Sequence, residues 1–223
     1  MLNAGKILVR ALAGAALNSA AAPVSFNECE HPLPGPHAAH IPNVAVHTHQ
    51  GQMMRFYDDL IWKKIVLINC TSVRDEANHS NLETIAQVQP LIGEELGRNV
   101  FIYSITTDPE SDTPAALRGL AEKYQAKNGW LFLTGESNRL KLVRERLFSH
   151  SGGQDSSMHL IRYGNEAVGL WGGIPVKTTP ELIAQRLSWV TPRERPSGPP
   201  KRGGPPPLTP EMIAAHNSRR DQS

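Results

Sequence analysis

Cysteine is nearly absent from this chain: its 223 residues include two, Cys29 and Cys70. Two thiols cannot build the disulfide framework of a small secreted scaffold. A bridge between them would join a Pro/His-rich lead-in to a core strand, so none is expected. No Cys-x-x-Cys occurs, which removes dithiol–disulfide exchange within the chain. An excess of one charge is missing too. Lys+Arg number 23 against 21 Asp+Glu, so there is no long-range field suited to nucleic acid, and no basic stripe is interleaved with aromatics. No run reaches the ~18 apolar residues of a membrane span. There is no Gly-rich phosphate cradle and no Walker lysine. Ser104, Asp108 and His159 are not set around a nucleophile elbow. No catalytic residue is assigned.

What remains is enough for one domain with a sizeable core, plus tails. Lys6 and Arg10 precede a short apolar run, Ala11–Leu17, and small residues through Ala22. That outline predicts a secretory signal over residues 1–22 and an exported, periplasmic protein. Left uncleaved, the same segment would be a marginal anchor; an exposed N-terminal extension is the alternative. Residues 23–40 are rich in Pro and His and read as a linker. Residues 191–223 are Pro-rich and bury too little apolar surface to offset chain entropy, so they are expected to be disordered.

Between these ends, residues 41–190 carry an α/β pattern. Short strands at Val44–Val46 and Met53–Phe56 flank a turn at Gln50–Gln52. Lys64–Cys70 is apolar on both faces, as a covered central strand requires. Leu82, Ile85, Val88, Leu91 and Ile92 recur at three and four, predicting a helix over 81–95 with Gly97 past its end. Val100–Thr106 and Trp130–Thr134 are further strands. Helices follow at 115–125 and 139–147, the first opened by Thr113-Pro114. A hairpin is expected around Gly164-Asn165, and a last helix after Thr179-Pro180. The order predicts a thioredoxin-like fold: a central mixed sheet flanked by helices, with an N-terminal β-hairpin.

In open α/β sheets, ligands gather where a strand's carboxyl end meets the next helix. Here that junction follows Cys70 and carries Asp75 and His79, four residues apart.

Residues 42–69, 100–124, 129–135 and 162–172 together resemble the Sco/SenC family. The phrase Thr107-Asp108-Pro109-Glu110 followed by Asp112-Thr113-Pro114, just after a core strand, is the most distinctive part. The resemblance covers roughly residues 41–190. It implies a thioredoxin fold and a role in copper assembly of cytochrome c oxidase, as copper chaperone or thiol reductant, with a protein partner in respiratory-complex assembly. Family members hold copper with a Cys-x-x-x-Cys pair in the loop after the central strand and a distal His in a later loop.

This sequence departs from that pattern at each ligand. The two cysteine positions fall on Asp75 and His79. The distal His position falls on or near Ser157, with His159 two residues later and His150 before a Ser/Gly-rich loop. Three readings follow. Asp75 and His79, with His159 or His150, would form a harder metal site suited to Cu(II), Zn(II) or Ni(II) rather than Cu(I). Alternatively the site has lapsed, Asp75 and His79 are solvated, and Ser80 or Asn81 caps the next helix. The third reading makes Cys70 a lone redox thiol, against its being a buried structural cysteine. Outside the loop, Asp108 is expected to hold backbone amides, and Asp112 and Thr113 to cap the helix that follows. The lead-in is a separate metal candidate, because His47 and His49 alternate along an extended segment and would point the same way. The oligomeric state is left open.

Overall fold

The computed structural model describes residues 33–76, 81–148 and 157–191. All of them lie in the first of two units, Met1–Thr191; the second, Pro192–Ser223, falls outside the described residues, as do the expected signal segment, Cys29, His79 and His150.

Ala45–Thr48 (β1) and Met53–Arg55 (β2) form a hairpin whose turn contains Gly51 at φ 83°, a left-handed conformation that glycine adopts without a Cβ clash. A π-helical turn, Phe56–Ile61, leads to Ile65–Thr71 (β3) and Leu82–Ile92 (α1). Then come Val100–Thr106 (β4), Pro114–Lys123 (α2), Trp130–Thr134 (β5) and Ser137–Phe148 (α3). Leu160–Asn165 (β6), Leu170–Pro175 (β7) and Pro180–Val190 (α4) complete the order.

The seven strands form one sheet in the order β2-β1-β5-β4-β3-β6-β7. β3, β4 and β5 are parallel, whereas β1 on β5 and β6 on β3 are antiparallel. This is the mixed, helix-flanked sheet that the sequence pattern predicts.

All of β3 is buried. Because successive side chains of a strand leave opposite faces, Ile65 and Leu67 enter one apolar layer with α1, α2 and α4, while Val66, Ile68 and Cys70 enter a second with the π-helical turn and α3. Cover on both faces explains why this strand reads as a continuous apolar run.

Several boundaries differ from expectation, each for a local reason. α1 stops at Ile92, where Gly93 takes φ 66° and opens a short 3-10 turn to Glu95. Gly97 is thus not the cap; it lies against the Asn128 carbonyl, 2.8 Å from where a Cβ would sit. Gly164 and Asn165 belong to β6 rather than to the hairpin turn. Gly164 is required by packing, since a Cβ there would come within 2.4 Å of the Trp171 ring. The turn lies over residues 166–169, where Asn165 Oδ1 accepts from Ala167 N at 3.0 Å and Gly169 takes φ 69°. Thr113 does cap α2, accepting from Ala116 N at 3.2 Å, with Pro114 at the first helical position.

The part of the lead-in within the described residues, 33–40, is pinned to the body and is no linker. Leu33 N donates to Asp58 at 2.8 Å, and Trp62 Nε1 to the Pro34 carbonyl at 3.0 Å. His47 and His49 do not form a chelating pair either. His47 is exposed, whereas His49 lies past the end of β1 and is buried, its Nδ1 accepting from Phe132 N at 3.2 Å.

His49 has a consequence for acid stability. Burial, then the nearby Arg118 charge, lowers its pKa below the ordinary value of 6.5. The folded chain therefore keeps the imidazole neutral at pH values where the unfolded chain protonates it. Stability is expected to fall as pH drops below about 6.5, towards the lower folded value. A His49→Gln variant keeps an acceptor for Phe132 N, and urea unfolding at pH 7.5 and 5.5 should show a smaller pH difference in it than in the native chain.

Candidate functional site

The loop at the carboxyl end of β3 is held at both margins by buried polar contacts. At its start, the Asp112 carboxylate accepts from Val73 N at 3.4 and 3.2 Å and from the Thr106 hydroxyl. Thr106 Oγ1 accepts in turn from Asp108 N at 3.0 Å, and its carbonyl accepts from Arg144 Nη1 at 3.0 Å. Asp112 is 2% exposed, so these donors meet an acceptor out of reach of bulk water. The sequence pattern points to Asp108 for amide capture. Asp112 performs it, and the Asp108 carboxylate pairs with Arg74 Nη2 at 3.2 Å.

One residue past Asp75, Glu76 accepts from Lys123 Nζ at 2.8 Å and from the Tyr124 hydroxyl. Lys123, then Tyr124, hold its carboxyl below the usual carboxylate range.

The far margin is anchored from beneath. Asn81 precedes α1, but its side chain makes no capping hydrogen bond. It turns inward: Asn69 Nδ2 donates to Asn81 Oδ1 at 2.7 Å, and Asn81 Nδ2 to the Cys70 carbonyl at 3.3 Å. The chain of contacts continues from the Ser104 hydroxyl to Asn69 Oδ1 at 2.8 Å and from Trp130 Nε1 to Ser104 Oγ at 2.9 Å. Asn69, Asn81, Ser104 and Trp130 are all buried. Of the two residues expected as cap, Asn81 gives its amide to these buried partners instead, and Ser80 lies outside the described residues.

The sequence-predicted ligands are distributed as follows. Asp75 is exposed in the loop, and His79 and His150 lie outside the described residues. His159 is exposed just before β6, and Ser157 is fully buried. β6 runs antiparallel to β3 with Arg162 opposite Ile68, so the start of β6 lies beside the end of β3. Asp75 and His159 therefore share one end of the sheet. Among the described residues, no three or more His, Cys, Asp or Glu side chains converge as a metal-holding group.

Cys70 is 1% exposed and belongs to the apolar layer of α3. Its neighbour Asn69 bonds to Asn81 at the start of α1, so Cys70, next along the strand, faces away from that helix. A thiol there lacks the helix N-terminus that stabilises thiolate.

The sequence reading missed Asn69 and Ser104. Each interrupts an otherwise apolar strand, in Ile65–Thr71 and Val100–Thr106, and a polar residue at a doubly covered position signals a buried partner.

The sheet order and its flanking helices define a thioredoxin-like α/β protein. Within that class, residues 75–161 match the SCO1/SenC family. The copper-bound ScoI of Bradyrhizobium japonicum is similar at 19% identity and TM-score 0.52, over 66% of this chain and 96% of that one. An SCO1/SenC family lipoprotein of Bacillus anthracis gives 15% and 0.53, over 67% and 94%. Copper-bound yeast Sco1 gives 13% and 0.52, over 65% and 87%. At these identities the likeness establishes the fold. Among curated proteins none matches the chain.

Proposed function

We propose that this chain is a Sco/SenC-type accessory protein of respiratory-chain assembly that works through protein contacts, without the family's Cu(I) dithiol and without catalysing a reaction. One observation carries this reading. Asp75 and His79 stand where the resemblance places the two cysteines, and Cys70, the single cysteine in residues 41–190, lies buried under α3. The similar ScoI and yeast Sco1 structures have copper bound. Cu(I) favours thiolate, and the carboxylate and imidazole donors present here do not fit it. The similar protein BsSco is described as a member of the Sco family of cytochrome c oxidase assembly proteins, which supports placing this chain in that process. Export is supported by the pattern of residues 1–22 and by the lipoprotein relative. Among the described residues no helix is long and apolar enough to cross a membrane.

The test is partner capture with the full chain, comparing the native protein with an Asp75→Ala/His79→Ala variant. Retention of one assembly partner by both, with and without chelator, is expected. Loss of the partner in the variant, or a requirement for metal, would reject the reading.

A second reading is favoured by the shared position of Asp75 and His159: a Cu(II) or Zn(II) chaperone using Asp75, His79 and His159. Its imidazole and carboxylate donors suit those ions. Titration of the full chain with Cu(II) and with Zn(II) separates the two readings. Unchanged stoichiometry and affinity in Asp75→Ala and His79→Ala variants would rule this one out.

The single-thiol alternative requires an accessible Cys70. Its alkylation in the folded chain is expected to be at least about 100-fold slower than in urea, because access requires opening of a packed layer. Reaction at the rate of a free thiol would restore that alternative.

A further inference from the structure

Glu166 is a charged residue buried at the pole of the sheet opposite the candidate loop. Its side chain is fully shielded from solvent. It makes four polar contacts: His37 N and the Tyr57 hydroxyl each donate to Oε1 at 2.7 Å, Trp171 Nε1 donates to Oε2 at 2.9 Å, and His37 Nδ1 lies 3.0 Å from Oε2. Two of these come from the lead-in, 129 residues earlier in the chain. The surrounding fit is close. A Cβ on Gly35 would sit 2.1 Å from the Tyr57 oxygen, and one on Gly169 would sit 2.9 Å from Pro36 Cβ. His40 Nε2 meets the Arg146 carbonyl at 3.0 Å, and Ile41 is buried in the α3 layer.

The donor pattern requires two accepting oxygens. The His37 backbone N–H and the Trp171 indole N–H can only donate, and they fall on different oxygens. An amide has one oxygen and must present N–H to one of these two donors. The location is equally defined. Glu166 N donates to the carbonyl of Lys64, immediately before β3, at 3.0 Å, whereas the candidate loop starts after Thr71 at the other end. The length of β3 separates the two by roughly 20 Å.

We propose that Glu166 is a carboxylate lock that fastens residues 33–41 as a strap, so that Leu33 is held at the pole opposite the start of the loop after Thr71. The strap fixes the polarity of the domain: Leu33 is held at one pole, and the loop starts at the other. This inference is independent of the function proposed above.

The experiment uses the full chain in a Cys29→Ser background, with Leu33→Cys and Asp75→Cys carrying spin labels; Cys70 stays unmodified. Native Glu166 should give one narrow interlabel distance of roughly 20 Å or more, set by the length of β3. Glu166→Gln should broaden it and raise amide exchange across residues 33–41 at least tenfold, leaving β3 and α1 amides unchanged. Should that variant fold poorly, His37→Ala keeps the buried carboxylate with its Tyr57 and Trp171 donors, and should produce the same change to a smaller extent. A broad distribution in the native chain would overturn the lock, as would strap exchange that is unaltered in both variants.

Discussion

Replacing Asp112 by alanine is expected to destabilise the domain by about 3 kcal/mol and to free the start of the loop at 72–81. The carboxylate receives Val73 N and the Thr106 hydroxyl at a position 2% exposed. Hydrogen bonds to a charged group contribute about 1.5–3 kcal/mol, and each donor stranded without an acceptor adds a desolvation cost. Urea unfolding should show a lower midpoint with little change in slope, because the surface exposed on unfolding is nearly the same. Asp112→Asn separates the parts of the effect. Its oxygen can still accept from Val73 N, while its NH2 needs Thr106 Oγ1 as acceptor, which already accepts from Asp108 N. A loss of about 1 kcal/mol is expected for that variant. Hydrogen exchange should rise at Val73 in Asp112→Ala, with β5 unaffected. A total loss below about 0.5 kcal/mol in the alanine variant, the range of an ordinary surface substitution, would mean that the carboxylate does not hold the loop.

The second large effect lies at Asn69. Asn69→Leu is close in volume but removes the acceptor of the Ser104 hydroxyl and the donor to Asn81, both buried. A cost of about 2–4 kcal/mol is expected from the stranded groups. Asn69→Asp should cost more, for a reason of direction. Trp130 Nε1–H can only donate, so Ser104 accepts from it and donates to position 69. The Cys70 carbonyl can only accept, so Asn81 must turn its NH2 to it and its oxygen to position 69. A carboxylate at 69 would face that oxygen, and rotating Asn81 would set its oxygen against the Cys70 carbonyl. Paired variants at 69 and 81 should show a coupling of about 1–2 kcal/mol in a double-mutant cycle. Additive effects would mean that the two amides stabilise the chain separately.

These two clamps explain how the candidate loop was partly legible in the sequence. Its place was readable because an apolar strand, Ile65–Thr71, ends where a 3.6-period helix pattern is about to start at Leu82. What holds it was not. Asp108 and Asp112 are four residues apart in one polar phrase, and no local rule says which captures an amide across the loop; that depends on Val73, 39 residues earlier in the chain from Asp112. Asn81, one of the two residues expected to cap α1, bonds instead to a strand residue that only the fold brings beneath it. The hairpin at Gly164-Asn165 was misplaced because Gly–Asn resembles turn chemistry, whereas the glycine is there to admit the Trp171 ring.

The strand and helix order, the doubly covered central strand and the absence of a Cys-x-x-x-Cys motif were legible in the sequence, since each follows from periodicity or from which residues are present. Tertiary structure alone decided the face to which Cys70 points, the capture of Val73 by Asp112 and the burial of Glu166 under a segment that reads as a linker. A buried polar group is stable only with its partners in place, and for these groups the partners lie far away in the chain and meet only in the folded domain.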